Sequence, residues 1–225
     1  MKKLAAVIGI AAAVVTACSD SQAVAADKLG QKLADAKAVY QDLLSSPDRG
    51  VPQALLEKAV CIAVIPHVVK GAFGYGARYG QGVMSCRGGE GGWSPPSFVS
   101  LAGGSVGFQI GAEASDVVLF FMTEPGARSL LTSKITLGGN ASVAAGPAGR
   151  SGEASTDLKL EAEIYSYAKS KGLFAGLSIE GARLAADKRA NAQYYGQAVS
   201  VQALLFEHKA PRVAAEAEAF RKALP

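Results

Sequence analysis

Histidine and cysteine are scarce in this chain: two histidines (His67 and His208) and three cysteines (Cys18, Cys61 and Cys86) in 225 residues. With no C-x-x-C pair among them, the sequence offers no zinc cluster and no metal site. Runs of lysine or arginine are also missing, although the formal net charge is +4. Lys2 and Lys3 supply two of those charges from the extreme N-terminus, which leaves a mildly basic body without the concentrated basic face of a nucleic-acid binder. Phosphate-binding loops are absent as well. "GYGARYG" is one residue too long for a dinucleotide fingerprint, and "AAGPAGRS" lacks the first glycine and the lysine of a P-loop. No pair of carboxylates has a spacing that suggests acid–base work, and nothing points to a cofactor.

What is present begins with a leader. Lys2-Lys3 precede an apolar run from Leu4 to Val15, followed by "VTAC" ending at Cys18. The run is too short for a permanent membrane span and reads as a signal peptide over residues 1–17. Cysteine directly after small residues resembles a bacterial lipobox, which implies acylation of Cys18 and a tether over 18–26. Asp20 lies one place beyond the position that would favour inner-membrane retention. The expectation is therefore an outer-membrane anchor with the domain facing the periplasm.

From Asp27 the pattern is helical: Leu29, Leu33, Ala36, Tyr40 and Leu43 recur every three or four residues until Pro47. The opposite face (Lys28, Gln31, Lys32, Asp35, Gln41, Asp42) mixes charges, so the helix is expected to pack on its own domain rather than lie on a membrane. A short helix is expected from Pro52 through Ala54, Leu55 and Leu56. "AVCIAVIP" (59–66) reads as a buried strand ended by Pro66.

Glycine then dominates. Thirteen of the chain's 26 glycines lie between Gly71 and Gly111. At about 1 kcal/mol each relative to alanine, they exclude a helix. Alternating with Phe73, Tyr75, Tyr79, Val83, Phe98 and Val106, they predict closely approaching, strongly bent strands. Cys61 and Cys86 fall in two such strand-like runs and form either a cross-strand disulfide or a pair of buried thiols. "DVVLFFM" (116–122) reads as another buried strand, and Pro125 opens a short helix through Leu131. One strand is expected within 141–145. "LKLEAEIYSYA" alternates with period two from Leu158 and should pair with 172–181 through a turn at Ser170-Lys171-Gly172. From Leu184 onward the chain turns helical, with a final stripe of Val213, Ala217, Phe220 and Leu224. The fold expected is one α+β domain over 27–225, a curled antiparallel, glycine-rich sheet or partial barrel with helices from both chain ends packed on it.

The segment "GGSVG" (103–107) matches G-x-S-x-G and makes Ser105 a candidate hydrolase nucleophile. The order Ser105, then Asp116, Asp157 or Asp187, then His208 also fits. However, a nucleophile elbow needs a strand, a strained turn and a helix in succession. Ser105 is followed by more glycine and another strand-like run, so it reads as a small residue where two backbones pass closely, and no catalytic residue is assigned.

The blocks "AVIPHVVKGAFGYGARYGQGV", "GGWSPPSFVSLAGGSVGFQIGAEASDVVLFFM", "LGGNASVAAGPAGR", "IYSYAKSKGLFAGLSIEGARL" and "NAQYYG" resemble, in order, the blocks of the SYLF domain, also called the Ysc84 actin-binding family, over residues 28–208. That resemblance implies a non-enzymatic domain that binds lipid or a membrane surface. Phosphoinositide and actin binding belong to eukaryotic members, whose SH3 or zinc-finger partners are not found in this chain. Surface binding needs cations and interfacial aromatics. The candidates are Lys70, Arg78, Arg150, Lys169 and Lys171, each either a head-group contact or a solvated charge, and Trp93, either an interfacial anchor or a core residue. An anionic phospholipid is the expected partner. The alternative is a structural or protein-interaction module of the envelope whose protein partner is unknown.

Overall fold

The computed structural model describes residues 27–45, 51–88, 92–132, 134–147, 161–170, 173–176 and 179–225. Helix α1 (27–44) forms where the three- and four-residue spacing places it, and Leu29, Leu33, Ala36, Tyr40 and Leu43 are all buried. On its outer face Gln31 Nε2 donates to Asp35 Oδ1 at 2.9 Å. Helix α2 (Gln53–Lys58) starts after Pro52 and buries Leu55 and Leu56. Proline is suited to a helix start, where its missing N–H has no intrahelical use.

Strand β1 (Cys61–Cys86) corrects the sequence reading at Pro66, because the strand continues through the proline and the glycines that follow. A bulge between Ile65 and Val68 absorbs Pro66, which cannot donate to a ladder. His67 takes a positive φ of 52° there, and its N–H is received by Asp116 Oδ1 at 2.9 Å. A carboxylate on the partner strand thus takes the donor that the ladder leaves over. That partner is β2 (Ser97–Phe121), antiparallel to β1 from Cys61↔Phe121 to Met84↔Ser97.

At roughly 3.3 Å per residue, a flat strand as long as β1 would separate its ends by about 80 Å. Instead the Cα atoms of Cys61 and Cys86 are 4.0 Å apart. The β1–β2 ribbon is doubled back on itself, and two glycines let its halves meet. A Cβ on Gly80 would lie 2.7 Å from Val68 Cγ2, and one on Gly82 would lie 2.0 Å from the Val64 carbonyl oxygen. Only residues without a side chain fit these crossings.

The remaining strands extend the sheet from β2. They are β3 (Lys134–Thr136), β4 (Val143–Ala145), β5 (Ile164–Ser170), β6 (Leu173–Gly176) and β7 (Arg183–Ala186). Among the described residues the order is β3-β7-β2-β5-β4, with β1 also pairing β2 and β6 also pairing β5. All pairs are antiparallel except β4 with β5. β5 begins only at Ile164, since 161–163 form no strand and 158–160 lie outside the described residues. Its first five residues are all buried, so the period-two pattern read from Leu158 does not describe this strand. β6 pairs with β5 as expected, from Ser170↔Leu173 to Tyr167↔Gly176, and the expected turn residues Lys171 and Gly172 lie outside the described residues. Leu184, taken as the start of helical sequence, lies in β7, and the helices begin after it.

Alternation along the strands divides the core. Ile62, Val64, Val118, Phe120 and Tyr167 face one side, where α1 and α6 (Ala215–Arg221) cover them with Leu33, Tyr40, Ala217 and Phe220. Cys61, Ala63, Ile65, Val117, Leu119 and Phe121 face the other, beneath α3 (Glu124–Thr132) and α5 (Val201–Leu205). Phe120 and Tyr167 meet edge to face, 5.7 Å between centroids, worth about 0.5–1.5 kcal/mol beyond their burial. Helix α4 (Lys188–Tyr195), capped by Asp187, locks the start of β2: Asn191 Oδ1 accepts from the Phe98 N–H at 2.8 Å. The result is the expected α+β architecture, a curled glycine-rich sheet held by helices from both ends of the chain. No described helix is long and apolar enough to cross a membrane.

Candidate functional site

The doubled-back ribbon exposes what its ends bury. Val68 and Gly80 point inward, while Val69 and Tyr79 are 53% and 54% exposed. Lys70 and Arg78 adjoin them in β1 and are half-buried. In register, Lys70 stands opposite Glu113, Val69 opposite Ala114, and Tyr79 opposite Ala102. Small residues on β2 therefore leave the two apolar side chains of β1 standing clear. Strand alternation puts the half-buried Lys70 and Arg78 on the other face from exposed Val69 and Tyr79, which the sequence reading had not selected.

The other candidates are placed differently. Lys169, on β5, is ion-paired with Asp42 of α1 and ties that helix to the sheet. Trp93 is only 4% exposed. Its Nε1 donates to the Pro225 carbonyl at 2.6 Å, and its own carbonyl accepts from Arg221 Nε at 2.6 Å. Trp93 therefore serves the core, and the interfacial anchor expected as one of its two readings is corrected. Its partners come from the far end of the sequence. Cys18, Arg150 and Lys171 lie outside the described residues. Ser105 is in the middle of β2, opposite Gly76 in an antiparallel pair, so the strand–turn–helix of a nucleophile elbow is not formed. No group of metal-binding side chains occurs among the described residues.

A second feature lies where the two ends of β1 meet. Cys61 and Cys86 are joined by a disulfide, and beside it opens a cleft of about 590 Å3. Val60, Leu205 and Phe206 form apolar lining, while Arg87, His208 and Arg221 supply basic groups and, among the described residues, Glu124 is the one lining carboxylate. Arg221 is itself ion-paired with Glu218 at 2.5 Å. Arg87 donates to the carbonyls of Leu56 and Ala59 and stacks 4.9 Å over the Trp93 ring. Glu124 is held by Arg128 at 2.6 Å. Burial, and secondarily the positive charge of Arg221, holds the His208 imidazole below its ordinary pKa. His208 also has a positive φ of 55°, and its ring packs where Gly88 has no side chain. Sequence reasoning missed this group because it is assembled from five separate segments.

Comparison with known proteins shows the family. Residues 102–225 match the family model described as "Ysc84: Las17-binding protein actin regulator". The chain is 41% identical over 154 residues to SH3 domain-containing YSC84-like protein 1 of Xenopus laevis, covering 68% of this chain and 46% of that protein. It is 38% identical over 163 residues to the rat protein of the same name, covering 72% and 48%. With LAS seventeen-binding protein 3 of Saccharomyces cerevisiae the identity is 38% over 161 residues, covering 70% and 35%. The chain belongs to the Ysc84 family. The matched region spans about half the length, or less, of these curated relatives.

Proposed function

We propose that this chain is a non-enzymatic, lipid-anchored protein of a bacterial cell envelope whose Ysc84 domain binds anionic phospholipid at a membrane surface. The observation that carries the reading is the outward face of the ribbon, where Val69 and Tyr79 are exposed, with half-buried Lys70 and Arg78 next to them along β1 on its alternate face. Apolar residues enter the interfacial region while cations stay at the head groups. The leader ending at Cys18 supports acylation, and the Cys61–Cys86 bond fits an oxidising compartment such as the periplasm. The position of Asp20 favours the outer membrane. Arg150 and Lys171 remain candidate contributors on sequence grounds alone.

The test uses the chain from Ser19, so that acylation cannot create binding, sedimented with neutral and anionic vesicles at low and high salt. Binding should require anionic lipid and weaken with salt. At about 1 kcal/mol per cation, the double change Lys70→Gln with Arg78→Gln should weaken partitioning about thirtyfold. Absence of binding to every vesicle would overturn the surface reading. A second reading, a protein-interaction module, is favoured by the names of the relatives, which refer to Las17 binding and actin regulation. It predicts a protein partner whose affinity is indifferent to vesicles.

A further inference from the structure

We propose that the cleft bounded by Arg87, His208 and Arg221 binds a phosphoryl group, as a free anion or as the head of a lipid. The site lies at the closed ends of β1 rather than on its outward middle, so it stands whether or not the ribbon meets a membrane.

Three observations converge on it. The first is charge: two guanidinium groups line the cleft, and among the described residues the one lining carboxylate, Glu124, is already engaged by Arg128, while Arg221 is paired with Glu218 at 2.5 Å. Arg87 is the more available of the guanidiniums, because among the described residues its contacts are two carbonyl oxygens and the Trp93 ring, none of them a carboxylate. Those contacts also fix its orientation, which lowers the ordering cost of binding. The second is donor geometry. Guanidinium presents a rigid fork of N–H groups that matches phosphoryl oxygens, and His208 adds a ring nitrogen from another segment of the chain. The third is the wall of Val60, Leu205 and Phe206, which provides an apolar surface beside the charges. A lipid phosphate would use both parts of the cleft, and inorganic phosphate only the charged part.

Trp93 is the only tryptophan in the sequence and its ring lies under Arg87, so its fluorescence reports on the site. The full chain is titrated with inorganic phosphate and, separately, with dihexanoyl phosphatidic acid below its micelle concentration, with calorimetry in parallel. A saturable signal is expected with either ligand. Tighter binding of the lipid identifies the apolar wall as part of the site, whereas equal binding identifies the free anion as the ligand. Arg87→Gln should weaken the interaction about tenfold or more. Glu124→Gln, at the exposed rim, should tighten it about twofold. If Arg87→Gln does not fold, judged by circular dichroism, the Glu124→Gln result decides alone. No saturable signal with either ligand overturns the proposal, as does equal affinity in the unaltered and altered chains.

Discussion

Gly82 passes so close to Val64, earlier in the same strand, that a Cβ on the glycine would sit 2.0 Å from the Val64 carbonyl oxygen and 2.6 Å from the Ile65 Cα. Both obstacles are backbone, so no rotamer change relieves the clash. Gly82→Ala should therefore force the two halves of β1 apart and destabilise the fold by at least about 3 kcal/mol, at the severe end for single substitutions. Gly71, with open space around its Cβ position, is the control. Equal melting temperatures for Gly82→Ala and Gly71→Ala would show that the halves of β1 do not cross as described.

The Cys61–Cys86 bond fastens the same closure, with a sequence separation of 25. Loop-closure entropy for a ring of that size amounts to about 3.5 kcal/mol. Cys86→Ser, paired with Cys61→Ser to avoid a stray thiol, should lower the unfolding free energy by roughly that amount. Denaturant midpoints with and without a dithiol reductant measure it. The unaltered chain should lose stability on reduction, and the double variant should not respond.

Asn191 joins α4 to the sheet from a fully buried position. Its Oδ1 receives the Phe98 N–H, and its Nδ2 donates to Ser97 Oγ at 3.1 Å. Asn191→Leu keeps the branched four-atom side-chain shape and orphans both partners, at about 1–3 kcal/mol for each buried group left unpaired. Thermal unfolding of this variant should show a loss of at least about 2 kcal/mol. A loss of a few tenths would mean that water replaces the side chain.

Helices α1, α2 and α3 were legible in the sequence because a 3.6-residue period and a proline at the start are local signals. Leu29, Leu33 and Tyr40 were read as core residues and are buried. The continuity of β1 was not legible. Pro66 is an ordinary strand breaker unless a bulge and an acceptor are supplied, and the acceptor, Asp116, is far away in sequence. Distance hid Trp93 in the same way, since Arg221 and Pro225 hold it. Of the cations selected, Lys70 and Arg78 share one strand and are half-buried, and Lys169 has Asp42 as its partner across the fold. Single-sequence patterns report what neighbouring residues impose on each other, and the cleft depends on none of them.

His208 makes stability depend on pH in a direction that can be worked out. Burial and the Arg221 charge lower its pKa in the folded chain, while the unfolded chain keeps the ordinary value of 6.5. As the pH falls through 6.5, the unfolded state takes up the proton first and is favoured. The stabilising contribution of a neutral His208 is thus complete above that pH and is lost as the pH drops towards the depressed folded value. Denaturant midpoints should fall between pH 7.5 and pH 5.5, and His208→Gln should flatten that part of the profile because glutamine has no proton to gain. An unchanged slope in the variant would place the pH dependence on other groups and remove the imidazole from the packed position against Gly88.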